Sequence, residues 1–158
     1  MLWVNLAVGI GAMMLCLMVQ AILLLLAARY FLKHRQAIDN ASILSSIVVL
    51  AIVMLILVAG NLLQGVLWAW LFMWLGEFTE FSRAYYFSLV NFATLGYGDI
   101  VMSDHWRLLG PIQAINGVLM IGITTGSISA AVKTALEHTI DARRARVGLA
   151  PLDEADGI

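Results

Sequence analysis

The run Ala84-Tyr85-Tyr86-Phe87-Ser88-Leu89-Val90-Asn91-Phe92-Ala93 leads directly into Thr94-Leu95-Gly96-Tyr97-Gly98-Asp99. Its first part is mostly apolar yet too short to cross a bilayer, because a hydrocarbon core of ~30 Å takes ~20 helical residues, whereas ~10–14 read as a re-entrant segment. Its second part, with glycine at alternate positions, interrupts the helical pattern. Non-helical backbone at membrane depth is tolerated only inside protein or beside a wet cavity, since an unsatisfied peptide group in lipid costs several kcal/mol. A short helix ending in such a stretch therefore has a purpose at that depth.

Everything around it has a membrane composition. Of 158 residues, 62% are hydrophobic and 12% charged, against about a quarter charged in soluble domains. The runs do not alternate polar and apolar as barrel strands do. Residues 1–32 form the expected first transmembrane helix, 33–42 a connecting loop and 43–76 a second helix. Segment 77–107 carries the short helix and the glycine stretch, 108–133 is the last crossing and 134–158 a polar tail. The first run lacks the basic start and short apolar core of a signal peptide and is expected to stay uncleaved. The second is longer than a straight crossing needs, so it is expected to tilt or to break near Gly60-Asn61 and Gly65, where glycine weakens a helix by up to ~1 kcal/mol. Asp39-Asn40-Ala41-Ser42 supplies N-cap candidates for it. Trp68, Trp70, Phe72 and Trp74 near its end are expected at the membrane–water interface. Thr79 or Ser82 is the expected cap of the short helix, with Glu80 in its first turn. Gly110-Pro111 is expected to kink or restart the last helix.

A net charge of −1 leaves no basic surface for nucleic acid. Cys16 is the one cysteine of the chain, which excludes an internal disulfide or a thiolate cluster, and it is expected to be buried. No Gly-rich phosphate loop, nucleophile elbow or zinc helix occurs, so an enzyme is not expected. Asn5 and Gln20, within the first apolar run, are expected to hydrogen-bond across helices.

Residues 84–100 resemble the pore helix and filter of small bacterial pore-loop potassium channels, in a two-pore-domain-like family but with a single filter per chain. The similarity rests on Thr-x-Gly-Tyr-Gly-Asp at residues 94–99 after a short aromatic helix, and extends over roughly residues 80–132. The resemblance implies an all-α integral membrane protein: three transmembrane helices, a re-entrant pore helix and filter loop before the last one, and a homotetrameric pore. K⁺ ions in the filter would be its only bound groups, with no organic cofactor, small-molecule substrate or nucleic acid, and with lipids as surroundings. The carbonyls of Thr94, Leu95, Gly96 and Tyr97 would be the ligands, joined by the Thr94 hydroxyl. Stacking carbonyls on one side demands alternating handedness of φ, which Gly96 and Gly98 supply. Tyr97 is expected to pack on Tyr86 and Phe87, and Asp99 to bond the Tyr86 hydroxyl at the outer mouth. Gly117 falls at the inner-helix hinge position, and Gly122 and Gly126 mark further bending or close-packing points. Val118, Ile121, Thr125 and Ser129 are pore-facing candidates. Three features depart from the family's usual pattern: Ala93 where a threonine is common, Val90 where some relatives place a carboxylate, and no proline in Ile100-Val101-Met102-Ser103.

Of the 9 Lys and Arg, Arg29, Lys33 and Arg35 lie at and beside the first loop, and Lys133, Arg143, Arg144 and Arg146 at the end of the last run and in the tail, which leaves Arg83 and Arg107 on the other side. The positive-inside rule then places the loop and the C-terminus in the cytoplasm, with the N-terminus and residues 77–107 outside a cell's inner (plasma) membrane. No helix carries arginines at every third position, so no voltage sensor of the usual kind is expected. The tail is expected to be too short for a ligand-binding gating domain. Two other readings stay open: a weakly selective cation channel of the same fold, and a non-conducting accessory subunit.

Overall fold

With almost no charge to interrupt them, the long apolar runs satisfy their peptide groups internally as helices. The computed structural model describes residues 2–34 and 43–148. They form α1 (Leu2–Lys33), α2 (Ile43–Trp74), α3 (Phe81–Phe92) and α4 (Leu109–Arg146). Helices α1, α2 and α4 are long and apolar enough to cross a membrane, and no β-sheet pairing occurs among the described residues. The cap candidates at 39–42 lie outside the described residues.

Helix α2 is continuous, so the expected break at Gly60 or Gly65 does not occur. Both glycines instead let a neighbour come close. A Cβ on Gly60 would lie 2.5 Å from Leu23 Cδ1 of α1, and one on Gly65 would lie 2.9 Å from Leu89 Cδ2 of α3. Small residues serve this purpose between membrane helices, where lipid is as apolar as leucine and close packing replaces the hydrophobic drive. Pro111 marks the start of α4, the restart alternative of the expectation. It sits in the first turn, where backbone N–H groups have no intrahelical partner to lose. From there α4 continues unbroken to Arg146, past the expected boundary at residue 133.

Helix α1 runs parallel to α4. A Cβ on Gly9 would meet Ile112 Cδ1 at 2.8 Å, and Asn5 Nδ2 donates to the His105 carbonyl at 2.9 Å. One core joins all four helices near the short one: Cys16, Trp68, Ala69, Phe72, Phe78, Ala84, Phe87, Met102 and Leu109. This corrects part of the interfacial reading. Trp68 and Phe72, one turn apart, face the core, whereas Trp70 and Trp74 on the opposite face are exposed. Cys16 is buried, as expected.

Gly117 makes the tightest approach. A Cβ there would fall 1.9 Å from the Phe92 carbonyl oxygen, at the end of α3. Gly117→Ala is expected to cost on the order of 1–3 kcal/mol, because backbone must move to admit the methyl group. Gly60→Ala, whose methyl group is crowded by the flexible end of Leu23 and meets Gln20 Oε1 at an ordinary 3.5 Å, is expected to cost less. Thermal unfolding in detergent checks the order, and equal losses would contradict it.

Candidate functional site

The short helix is fastened on two sides by a buried polar chain. Ser88 Oγ donates to the Gly65 carbonyl of α2 at 2.7 Å, and Gln113 Nε2 of α4 donates to Ser88 Oγ at 2.6 Å. The Phe87 ring packs on Phe72 and Phe78, with centroids 5.4 and 5.2 Å apart. At the start of α3 the cap is Glu80 rather than Thr79 or Ser82. Its backbone is extended and no side chain caps the helix. Because the helix begins at Phe81, Ser82 already lies inside it and Thr79 stands one residue too early.

The other end of α3 turns into the glycine segment. Leu95 N–H donates to the Val90 carbonyl and Thr94 N–H to the Asn91 carbonyl, each at 2.9 Å. This pair of bonds is a Schellman motif, and its left-handed residue is Thr94, at φ 58°. Glycine is the usual occupant, since a left-handed conformation costs an L-residue roughly 1–2 kcal/mol and is rarer still for a β-branched one. Gly96 at φ 56° and Gly98 at φ 74° continue the pattern. Handedness therefore inverts at alternate residues through 94, 96 and 98. Neither glycine has a neighbour within 4 Å of a Cβ position, so these residues are required by φ and not by space.

Residues 95–98 have no regular secondary structure, and all of 93–99 are exposed. Among the described residues, no backbone bond engages the carbonyl of Thr94, Leu95, Gly96 or Tyr97. No cluster of three or more His, Cys, Asp or Glu side chains placed to hold a metal occurs among them either. An extended segment with alternating φ is able to present its backbone oxygens on one side in place of an ion's hydration shell.

Beyond the strand the chain is anchored three times. Tyr86 donates its hydroxyl to Asp99 Oδ2 at 2.8 Å, the expected partner. That bond, with lesser contributions from burial and from the charges of Asp99 and Tyr97, holds the phenol above its ordinary value. A phenolate cannot donate, so the bond is lost as pH rises through that raised value. Met102 is buried in the core. Ser103 gives its N–H and hydroxyl to the two carboxylate oxygens of Glu77, at 2.8 and 2.5 Å. These contacts secure a loop that has no proline. Neither Glu77 nor Gln113 was identified as a support from sequence, because their partners are distant along the chain.

Tyr97 differs from expectation. It is 66% exposed, and no ring contact among the described residues joins it to Tyr86 or Phe87. Phe87 is already engaged by Phe72 and Phe78, so Tyr97 lies at the surface of the single chain. With Tyr86, Leu95 and Ile121 it lines an open cavity of about 500 Å³. Val118, Ile121, Thr125 and Ser129 of α4 are all exposed, as are Gly122 and Gly126 between them.

Thr94→Gly is expected to raise thermal stability by about 1 kcal/mol through relief of the left-handed strain. Thr94→Val, which retains the branched Cβ, is expected to give no gain. Melting curves in detergent distinguish the two, and a destabilised Thr94→Gly would refute the strained cap.

Three comparisons bear on this geometry. A family model described as "Ion channel" matches residues 42–134, covering α2, α3, the glycine strand and most of α4. A "TWiK family of potassium channels protein 18" from Caenorhabditis elegans is 36% identical over 89 residues, which are 54% of this chain and 18% of that protein. No solved structure matches. These matches point to a channel and not to an enzyme, and with three apolar helices they identify a multi-pass membrane protein: the chain belongs to the Ion_trans_2 family of ion channels.

Proposed function

We propose that the protein is a potassium-selective channel, conducting K⁺ passively through a homotetrameric pore whose filter is residues 94–98. The observation that carries this reading is the left-handed backbone at Thr94, Gly96 and Gly98, with the carbonyls from Thr94 to Tyr97 free of backbone partners among the described residues. The name of the Caenorhabditis elegans relative favours K⁺ over other cations.

The tetramer follows from the same groups. One strand of unpaired carbonyls surrounds nothing, and at membrane depth it is too costly to stand alone. Four copies around an axis would close the ring of oxygens and cover Leu95 and Tyr97, which are 55% and 66% exposed in one chain. Tyr97 would then pack on a neighbouring copy. Thr94, Leu95, Gly96 and Tyr97 supply the K⁺ ligands. Gly98, Asp99, Tyr86 and Phe87 support them, Asp99 at the outer mouth. Val118, Ile121, Thr125 and Ser129 line the inner vestibule. The partial negative end of the α3 dipole faces the cation path. Gly117 serves as the inner-helix hinge. The distribution of basic residues places the filter side outside the plasma membrane and the C-terminus in the cytoplasm.

Liposomes holding only the purified chain, loaded with K⁺ or Na⁺, test the reading. K⁺-selective flux is expected from the parent. Gly96→Ala places a Cβ on a left-handed residue and is expected to lower the K⁺/Na⁺ flux ratio by at least tenfold, which corresponds to ~1.4 kcal/mol. Intact selectivity in Gly96→Ala would refute the filter. Equal K⁺ and Na⁺ flux in the parent would favour the weakly selective channel, and silence from a verified tetramer would favour the accessory subunit.

Thr94→Ala is expected to weaken Ba²⁺ block while the tetramer persists, because the innermost site loses its hydroxyl ligand. Unchanged block in planar-bilayer recordings would contradict that assignment.

A further inference from the structure

Helix α1 lies outside the matched ion-channel region, residues 42–134, yet it inserts a buried polar group between the other two crossings. Gln64 Nε2 of α2 donates to Gln20 Oε1 of α1 at 2.8 Å, and Gln20 Nε2 donates to Thr124 Oγ1 of α4 at 3.1 Å. Thr124 in turn donates to Asn61 Oδ1 of α2 at 3.3 Å. The chain of donors starts and ends on α2, passing through α1 and α4. Gln20, Gln64 and Thr124 are all buried.

This chain of bonds constrains α4. The Gln20 amide bridges α2 and α4, contacting Gln64 with its oxygen and Thr124 with its nitrogen, so a rotation of α4 at this level breaks the bond to Thr124. In lipid no water replaces it. Thr124 lies between Gly122 and Gly126, and within one chain neither glycine has an atom of the described residues within 4 Å of a Cβ position. Those glycines therefore do not fix the rotation of α4 at this level, whereas the Thr124 hydroxyl on the opposite face is held. With 3.6 residues per turn, a small rotation there changes which of Ile121, Thr125 and Ser129 faces a central path.

We propose that Gln20 is a positioning residue: through Thr124 it sets the rotation of α4, and thereby the side chains presented to the conduction path. The consequence for conduction rests on the channel reading above, whereas the setting of the helix does not.

The test uses the full chain with Cys16→Ala, which removes its one cysteine, and nitroxide labels at Leu25→Cys on α1 and Leu136→Cys on α4, both exposed sites. Labelled chains are diluted into unlabelled ones in liposomes, and the label–label distance is measured. Gln20→Leu and Thr124→Val are expected to shift or split that distance, the double variant no more than either alone. Thr124→Ser, which keeps the hydroxyl, is expected to match the parent. In recordings, the first two variants are expected to change open probability by about threefold, the factor given by a typical interhelical bond in a bilayer. Their K⁺/Na⁺ ratio is expected to stay as in the parent.

Parent-like distances in Gln20→Leu and Thr124→Val would overturn the proposal. So would an equal disturbance in Thr124→Ser, or altered distances with unchanged open probability. If Gln20→Leu does not assemble, the two Thr124 variants decide. A parent that passes no ion would refute the channel reading, while the distances would still decide the role of Gln20.

Discussion

A carbonyl oxygen removed from water must find a donor or a cation, and the structure follows from how this chain meets that requirement. Three long helices meet it internally. The strand at 94–98 does not: its exposed backbone leaves four successive carbonyls without a hydrogen-bond partner among the described residues. Such a strand persists only where its surroundings are built for it, and much of the fold serves that end. The Schellman turn at the end of α3 starts the strand, the Tyr86–Asp99 bond fixes its exit, and the clamp of Glu77 on Ser103 holds the loop beyond.

On the proposed reading, Thr94 sets function against stability. Glycine would satisfy the left-handed cap with less strain, but glycine has no hydroxyl to offer an ion. A β-branched residue at φ 58° is consistent with a site that accepts strain for an added oxygen ligand. The glycines elsewhere divide by cause. Gly96 and Gly98 are required by backbone handedness, whereas Gly60, Gly65 and Gly117 are required by the close approach of a neighbouring element.

That division also marks what was legible in the sequence. Crossing helices, the short helix between them and the glycine alternation are local patterns of charge, length and residue type, and they were readable as such. The Tyr86–Asp99 bond joins the short helix to the strand directly after it, and was equally accessible. What escaped depends on partners far along the chain. Gly60 and Gly65 looked like helix breaks because Leu23 and Leu89, which fill the space beside them, come from other helices. Trp68 and Phe72 were grouped with Trp70 and Trp74 by proximity, although helical phase sends the two pairs to opposite faces. The left-handed Thr94 was hidden because residue type argues against it and only the hydrogen bonds of the turn reveal it.

In the proposed channel, alternating backbone handedness creates a stack of carbonyl sites for a dehydrated cation. The most direct test is anomalous diffraction from crystals of the protein grown with Tl⁺, a strongly scattering substitute for K⁺. The account predicts a row of anomalous peaks on a fourfold axis, level with the carbonyls of Thr94, Leu95, Gly96 and Tyr97. An assembly without a fourfold axis, or a fourfold axis bare of peaks at those residues, would contradict it.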